Sequence, residues 1–129
     1  MGAYLDTPIT DKNPENGSND MASWGVCSMQ GWRCGMEDSH IAVSIDLPKS
    51  KTKGMLFGVF DGHGGKVVSK YLKNNLPQYF MHKFKENFYL KTKLATKYFI
   101  KIFNILQNNL IADHPRASQY CGSTAIKLF

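Results

Sequence analysis

Three carboxylates carry the clearest chemical potential in the 129-residue chain: the adjacent pair Glu37 and Asp38, and Asp61 at the end of a later apolar run. Carboxylates brought together repel one another unless neutralised, and hard divalent cations such as magnesium or manganese favour such oxygen donors, completed by water and backbone carbonyls. The turn DGHGG, Asp61 to Gly65, would leave the Gly62 carbonyl free to join them. Taken singly, each part has a plainer reading. A Glu-Asp pair is usually a polar strand start, a glycine-rich turn serves geometry, and a lone histidine such as His63 more often satisfies a local hydrogen bond than catalyses. Arg33, by itself, reads as a surface arginine.

The surrounding pattern says how these residues would be positioned. From His40 to Leu47, Ile41, Val43, Ile45 and Leu47 alternate with Ala42, Ser44 and Asp46, as on a strand with one buried face. Pro48 to Gly54 is a polar turn, and Met55 to Phe60 is a short apolar run of the buried-strand type. Antiparallel pairing of the two would bring Asp61 beside Glu37 and Asp38. Upstream, Trp24, Val26 and Ser28 alternate with Gly25, Cys27 and Met29 as a short strand that Gly31 interrupts. Asp61 to Gly65 is expected to be irregular, Lys66 to Leu76 helical, and Pro77 to stop that helix. A longer helix is expected over Lys93 to Leu110, with Leu94, Tyr98, Phe99, Ile102, Phe103, Leu106 and Leu110 as its core stripe. Ser123 to Phe129 reads as a strand. The polar stretch from Asp6 to Asp20 cannot repay its ordering entropy by burial and reads as a flexible leader.

Length allows one domain or part of one, and 43% hydrophobic with 20% charged residues suits a globular chain. The net charge of +6 would suit acidic partners. Lys83, Lys85, Lys91, Lys93, Lys97 and Lys101 supply much of it, and read as a solvated helix face; no nucleic-acid partner is expected, since no binding motif accompanies them. Cys27, Cys34 and Cys121 are odd in number and lack CxxC spacing, which excludes an evident disulfide framework or zinc site. Neither a secretory signal nor an apolar run of about 18 residues occurs, so a cytoplasmic or nuclear location is expected. Gly2 invites N-myristoylation, although Asp6 stands where serine or threonine is wanted; one such chain would give only weak membrane association.

Three blocks change the balance between the plain and the chemical readings: MQGWRCGMEDSH (Met29 to His40), FGVFDGHGG (Phe57 to Gly65) and CGSTA (Cys121 to Ala125). In this order they resemble the signature segments QGxRxxMEDxH, FxVFDGHGG and SGSTA of the type-2C metal-dependent serine/threonine protein phosphatases. The resemblance implies an α+β fold, part of an α-β-β-α sandwich of two antiparallel sheets flanked by helices. Residues 23–129 would form the amino-terminal half of that catalytic domain, after a leader at 1–22. Glu37, Asp61 and the Gly62 carbonyl would be metal ligands, with Asp61 bridging two magnesium or manganese ions whose shared water attacks phosphorus. Arg33 would bind the phosphate through its planar guanidinium, and His63 would protonate the departing serine or threonine oxygen. Asp38 and His40 would orient ligands and waters, Asp38 being available to an additional metal. Gly122, Ser123 and Thr124 would be structural. Phosphorylated proteins would be the partners. Two departures stand out: Cys121 replaces the usual serine, and the family's later metal aspartates, in DG and GDN-like segments, have no counterpart, since Asp113 is the sole carboxylate after Glu86. An alternative is therefore a truncated, non-catalytic binding or regulatory module.

Overall fold

The computed structural model describes residues 4–47, 52–86 and 92–128. The chain is α+β. Its strands are β1 (Tyr4–Ser18), β2 (Ser23–Arg33), β3 (Ser39–Leu47), β4 (Thr52–Phe60), β5 (Gly62–His63), β6 (Gly122–Ser123) and β7 (Ile126–Leu128). Its helices are α1 (Val67–Glu86), α2 (Thr92–Asp113) and the short α3 (Ala117–Tyr120). Strands β3, β4 and β7 form one antiparallel sheet, β1 pairs with β2, and β5 pairs with β6.

The β3–β4 pairing follows from alternation. Ser39 lies opposite Phe60, Ile41 opposite Gly58, and Val43 opposite Leu56, so one face carries Ile41, Ile45, Leu56 and Phe60, all buried. Helix α1 covers that face with Val68, Leu72, Leu76 and Phe80, and α2 adds Ile102, Leu106 and Leu110. On both helices the buried residues recur every fourth position, the row that packs ridge against groove. Part of the connecting turn, Pro48 to Lys51, lies outside the described residues, as do Gly2, Lys91 and Phe129. Of the basic helix face, Lys97 and Lys101 are exposed on α2.

Four sequence expectations differ from the structure. The polar leader forms β1, a 15-residue strand paired antiparallel with β2. Composition reports side-chain burial, whereas a hairpin is held by backbone hydrogen bonds and its turn. Here Asn19 Oδ1 accepts from the Met21 and Ala22 amides at 2.8 and 3.0 Å, and the Asn19 amide donates to the Ala22 carbonyl at 2.9 Å. Asn19 Nδ2 also donates to Ser44 Oγ at 2.9 Å, tying the hairpin to β3. Gly31, with φ of 69°, does not end β2, which runs on to Arg33. It sits where the pairing register shifts, as at a β-bulge.

Helix α1 passes through Pro77 and continues to Glu86. A proline inside a helix costs about 3 kcal/mol, while full burial of one large apolar side chain gives about 1.5–3 kcal/mol. Beyond the break, Phe80 is 1% exposed and its ring lies 4.7 Å from that of Phe99, so packing against α2 offsets the lost bond. Finally, DGHGG is not wholly irregular, because Gly62 and His63 pair with Ser123 and Gly122. The two helices are also linked at their far ends, where Tyr71 Oη donates to Asp113 Oδ2 at 3.3 Å. Burial, then the Asp113 carboxylate, holds the Tyr71 phenol above its ordinary pKa. Among the described residues no helix is long and apolar enough to cross a membrane.

Candidate functional site

Three chain segments end at one place. Strand β2 delivers Arg33, the loop 34–38 carries Glu37 and Asp38 into β3, and β4 delivers Asp61 into the DGHGG turn. Arg33, Glu37, Asp38, Asp61, Gly62 and His63 line a single open cleft of about 700 Å³. The Arg33 carbonyl accepts from Gln30 Nε2 at 2.8 Å, which closes the end of β2 over its last turn.

The cleft floor is set by close backbone approach. At Gly62 a side-chain carbon would collide with the Glu37 carbonyl and sit 3.0 Å from Ser69 Oγ. Ser69, wholly buried in the first turn of α1, donates its hydroxyl to that same Glu37 carbonyl, with the Lys66 carbonyl at 3.2 Å and Ser39 Oγ at 3.5 Å also beside it. One hydroxyl thus ties the helix start to the Glu37 loop, and the Asp61 turn packs closely against both at Gly62. Replacing Gly62 with alanine is expected to displace the Glu37 loop at a cost of about 1–3 kcal/mol, the usual range for overpacking. Thermal denaturation of Gly62→Ala reads this directly; an unchanged Tm would contradict the close approach.

The second half of the turn is held from β6 and α3. Gly64 and Gly65 have φ of 72° and 128°, and the Gly64 carbonyl accepts from Cys121 Sγ at 2.9 Å. The Thr124 amide donates to the Asp61 carbonyl at 2.9 Å. His63 pairs with Gly122, and a side-chain carbon at Gly122 would overlap the imidazole. The small residues of CGSTA therefore make room for His63, and Cys121 takes part in holding the turn.

A family model described as protein phosphatase 2C matches residues 22–129. The chain belongs to the protein phosphatase 2C family. It is 51% identical over 78 residues to Probable protein phosphatase 2C 21 of Arabidopsis thaliana, covering 60% of the chain and 21% of that relative. It is 47% identical over 79 residues to Protein phosphatase 2C homolog 3 of Schizosaccharomyces pombe, covering 60% of the chain and 19% of the relative. Protein phosphatase ppm-1.G of Caenorhabditis elegans is also 47% identical over 79 residues, 61% of the chain and 15% of the relative. The chain matches about a fifth or less of the length of these curated relatives.

Within this protein phosphatase 2C chain, one expected residue lies apart from the others. His40 does not line the 700 Å³ cleft. Its Nε2 is buried 3.2 Å from Glu15 Oε2, close enough for an ion pair when the histidine is protonated, yet not aligned as a hydrogen bond. Glu15 lies on β1, so the leader that the sequence reads as unstructured supplies this contact. Ser69 escaped the sequence reading altogether. Its signal was present: a serine three and seven positions before Leu72 and Leu76, on the buried face of a helix that opens just after DGHGG.

The donors in the cleft are hard oxygen ligands, the carboxylates of Glu37, Asp38 and Asp61 and the Gly62 carbonyl, which suits magnesium or manganese in kind. They do not gather into one cluster. Among the described residues, no group of three or more histidine, cysteine, aspartate or glutamate side chains stands ready to hold a metal.

Proposed function

We propose that this chain is the amino-terminal part, over residues 23–129, of the catalytic domain of a metal-dependent phosphatase that hydrolyses phosphoserine and phosphothreonine in proteins. The observation that carries the reading is the gathering of Arg33, Glu37, Asp38, Asp61, Gly62 and His63 along one cleft. Glu37, Asp61 and the Gly62 carbonyl would hold part of the coordination shell of magnesium or manganese ions. Divalent cations held there, when bound, supply charge neutralisation at the phosphoryl group and lower the pKa of neighbouring water.

Arg33 binds the phosphoryl oxygens through two parallel hydrogen bonds, a geometry lysine does not match. His63, exposed at the rim of the cleft, gives a proton to the serine or threonine oxygen as it leaves. Asp38 orients ligands and water from beside Glu37. His40 acts at a greater remove, by fixing the start of β3. The partners are phosphorylated proteins, not nucleic acids, and the location is cytoplasmic or nuclear, with myristoylation at Gly2 adding at most a weak membrane attachment.

A second reading is a non-catalytic module that holds phosphopeptides. That no three histidine, cysteine, aspartate or glutamate side chains gather closely enough to hold a metal, among the described residues, favours it. Manganese-dependent hydrolysis of a phosphothreonine peptide by the chain separates the two. The enzyme reading expects turnover that falls at least about 100-fold in Asp61→Asn, as for loss of a group acting on developing charge. Absence of turnover with phosphopeptide binding that Arg33→Ala removes establishes the second reading. Absence of both turnover and binding contradicts each.

A further inference from the structure

A second open cleft of about 540 Å³ lies against the first, and the two share Met36 and Asp38. Its other wall is the exposed side of α1, where Lys70, Lys73 and Asn74 line it, with His40 at its base. Lys70 and Lys73 stand three apart on one helix face, so both ammonium groups serve the same surface. Among the described residues neither lysine has an ion-pair partner. Asp38 is the one carboxylate lining the cleft, against these two cations. The surface adjoining the phosphoryl site is thus positively charged.

We propose that Lys70 and Lys73 bind an acidic side chain flanking the phosphorylated residue, so that the chain selects phosphopeptides with neighbouring acidic groups. This deepens the proposed function and rests on it for the occupant of the first cleft. With the phosphoryl group beside Arg33, a substrate chain crossing the Met36–Asp38 divide enters the second cleft. The two clefts adjoin at Met36 and Asp38, so the acidic residues in reach are those close in sequence to the phosphorylated one. Aspartate and glutamate are the groups selected, since a lysine ammonium pairs with a carboxylate as a point charge without demanding one orientation. Asn74 adds a hydrogen bond that either oxygen of the carboxylate accepts.

The test is fluorescence anisotropy at low salt with three labelled peptides of one length. These are phosphothreonine with glutamates on both sides, phosphothreonine with neutral neighbours, and unphosphorylated threonine with the same glutamates. The glutamate-flanked phosphopeptide is expected to bind about fivefold more tightly than the neutral one, the scale of two exposed ion pairs. Added salt should shrink that difference. Lys70→Ala with Lys73→Ala should abolish the difference and leave the neutral phosphopeptide's affinity unchanged; both lysines are exposed, so the fold survives, which circular dichroism checks. Equal affinity of the parent chain for the two phosphopeptides overturns the inference, as does a preference that persists in the double variant. If Arg33→Ala weakens neither phosphopeptide while the lysines still set the preference, the phosphate role of the first cleft fails and the inference stands. Binding of none of the peptides overturns both.

Discussion

Replacing Gly64 with alanine is expected to cost about 3 kcal/mol of stability and lower Tm by roughly 10–20 °C, from two effects that add. The backbone there has φ of 72°, a left-handed conformation that a side chain makes unfavourable by about 1–2 kcal/mol. The new carbon would also collide with the carbonyl of Tyr120. No flexible side chain is available to move aside, because the obstacle is backbone, and it precedes Cys121, whose thiol bonds the Gly64 carbonyl. Gly35 supplies the control. It lines the same cleft, but nothing lies within 4 Å of the position a side chain would take, and its φ is not positive. Gly35→Ala should therefore stay within about 0.5 kcal/mol of the parent. Calorimetry of the two variants tests the turn; equal behaviour would contradict its geometry.

Phe80→Ala is expected to be as damaging, at about 3–5 kcal/mol, through the cavity it leaves. Phe80 is 1% exposed and lies between the second half of α1 and α2, on the portion of α1 that continues past Pro77. If burial there is what carries the helix through the proline, its removal should melt the segment beyond Pro77 as well as lower the unfolding free energy. Helical circular dichroism and urea denaturation would show both. Val59→Ala, at a site 50% exposed on the opposite face of the sheet, should cost little. A Phe80→Ala variant with a loss below about 1 kcal/mol would refute the packing account.

How much of this was legible in the sequence depended on whether the signal was local. The β3–β4 hairpin was, because Ile41, Val43 and Ile45 against Leu56 and Phe60 give a period of two with one buried face. Helix α2 was also legible, its core stripe at Ile102, Leu106 and Leu110 lying where the period of 3.6 put it. Helix α1 was legible at its start and not at its end, since Pro77 is a local stop signal that distant burial at Phe80 overrides. Strand β1 was hidden because a polar hairpin depends on pairing with β2 and on the Asn19 turn, neither of which composition reveals. The β5–β6 pairing joins Gly62 to Ser123 and His63 to Gly122, far apart in the chain, so DGHGG alone could not announce it.

The site shows the same division. The motif blocks pointed to Arg33, Glu37, Asp38, Asp61, Gly62 and His63, and the fold brings all six to one cleft. The reason lies in the ends of β2 and β4 and the start of β3, which the hairpin register aligns. His40 belongs to the same block, yet strand alternation sends it to the face opposite Ser39, toward Glu15 and the second cleft. Ser69 belongs to no block, and it is the hydroxyl that joins α1 to the Glu37 loop.

The central claim is that Glu37 and Asp61 provide oxygen ligands for a divalent cation in this cleft. Manganese titration followed by electron paramagnetic resonance tests it most directly, comparing the parent chain with Asp61→Asn and Glu37→Gln. The account predicts saturable binding with a Kd of about a millimolar, as for a site with few charged ligands, and its loss in either variant. Binding that is unchanged in both variants, or none at several millimolar manganese, would contradict it.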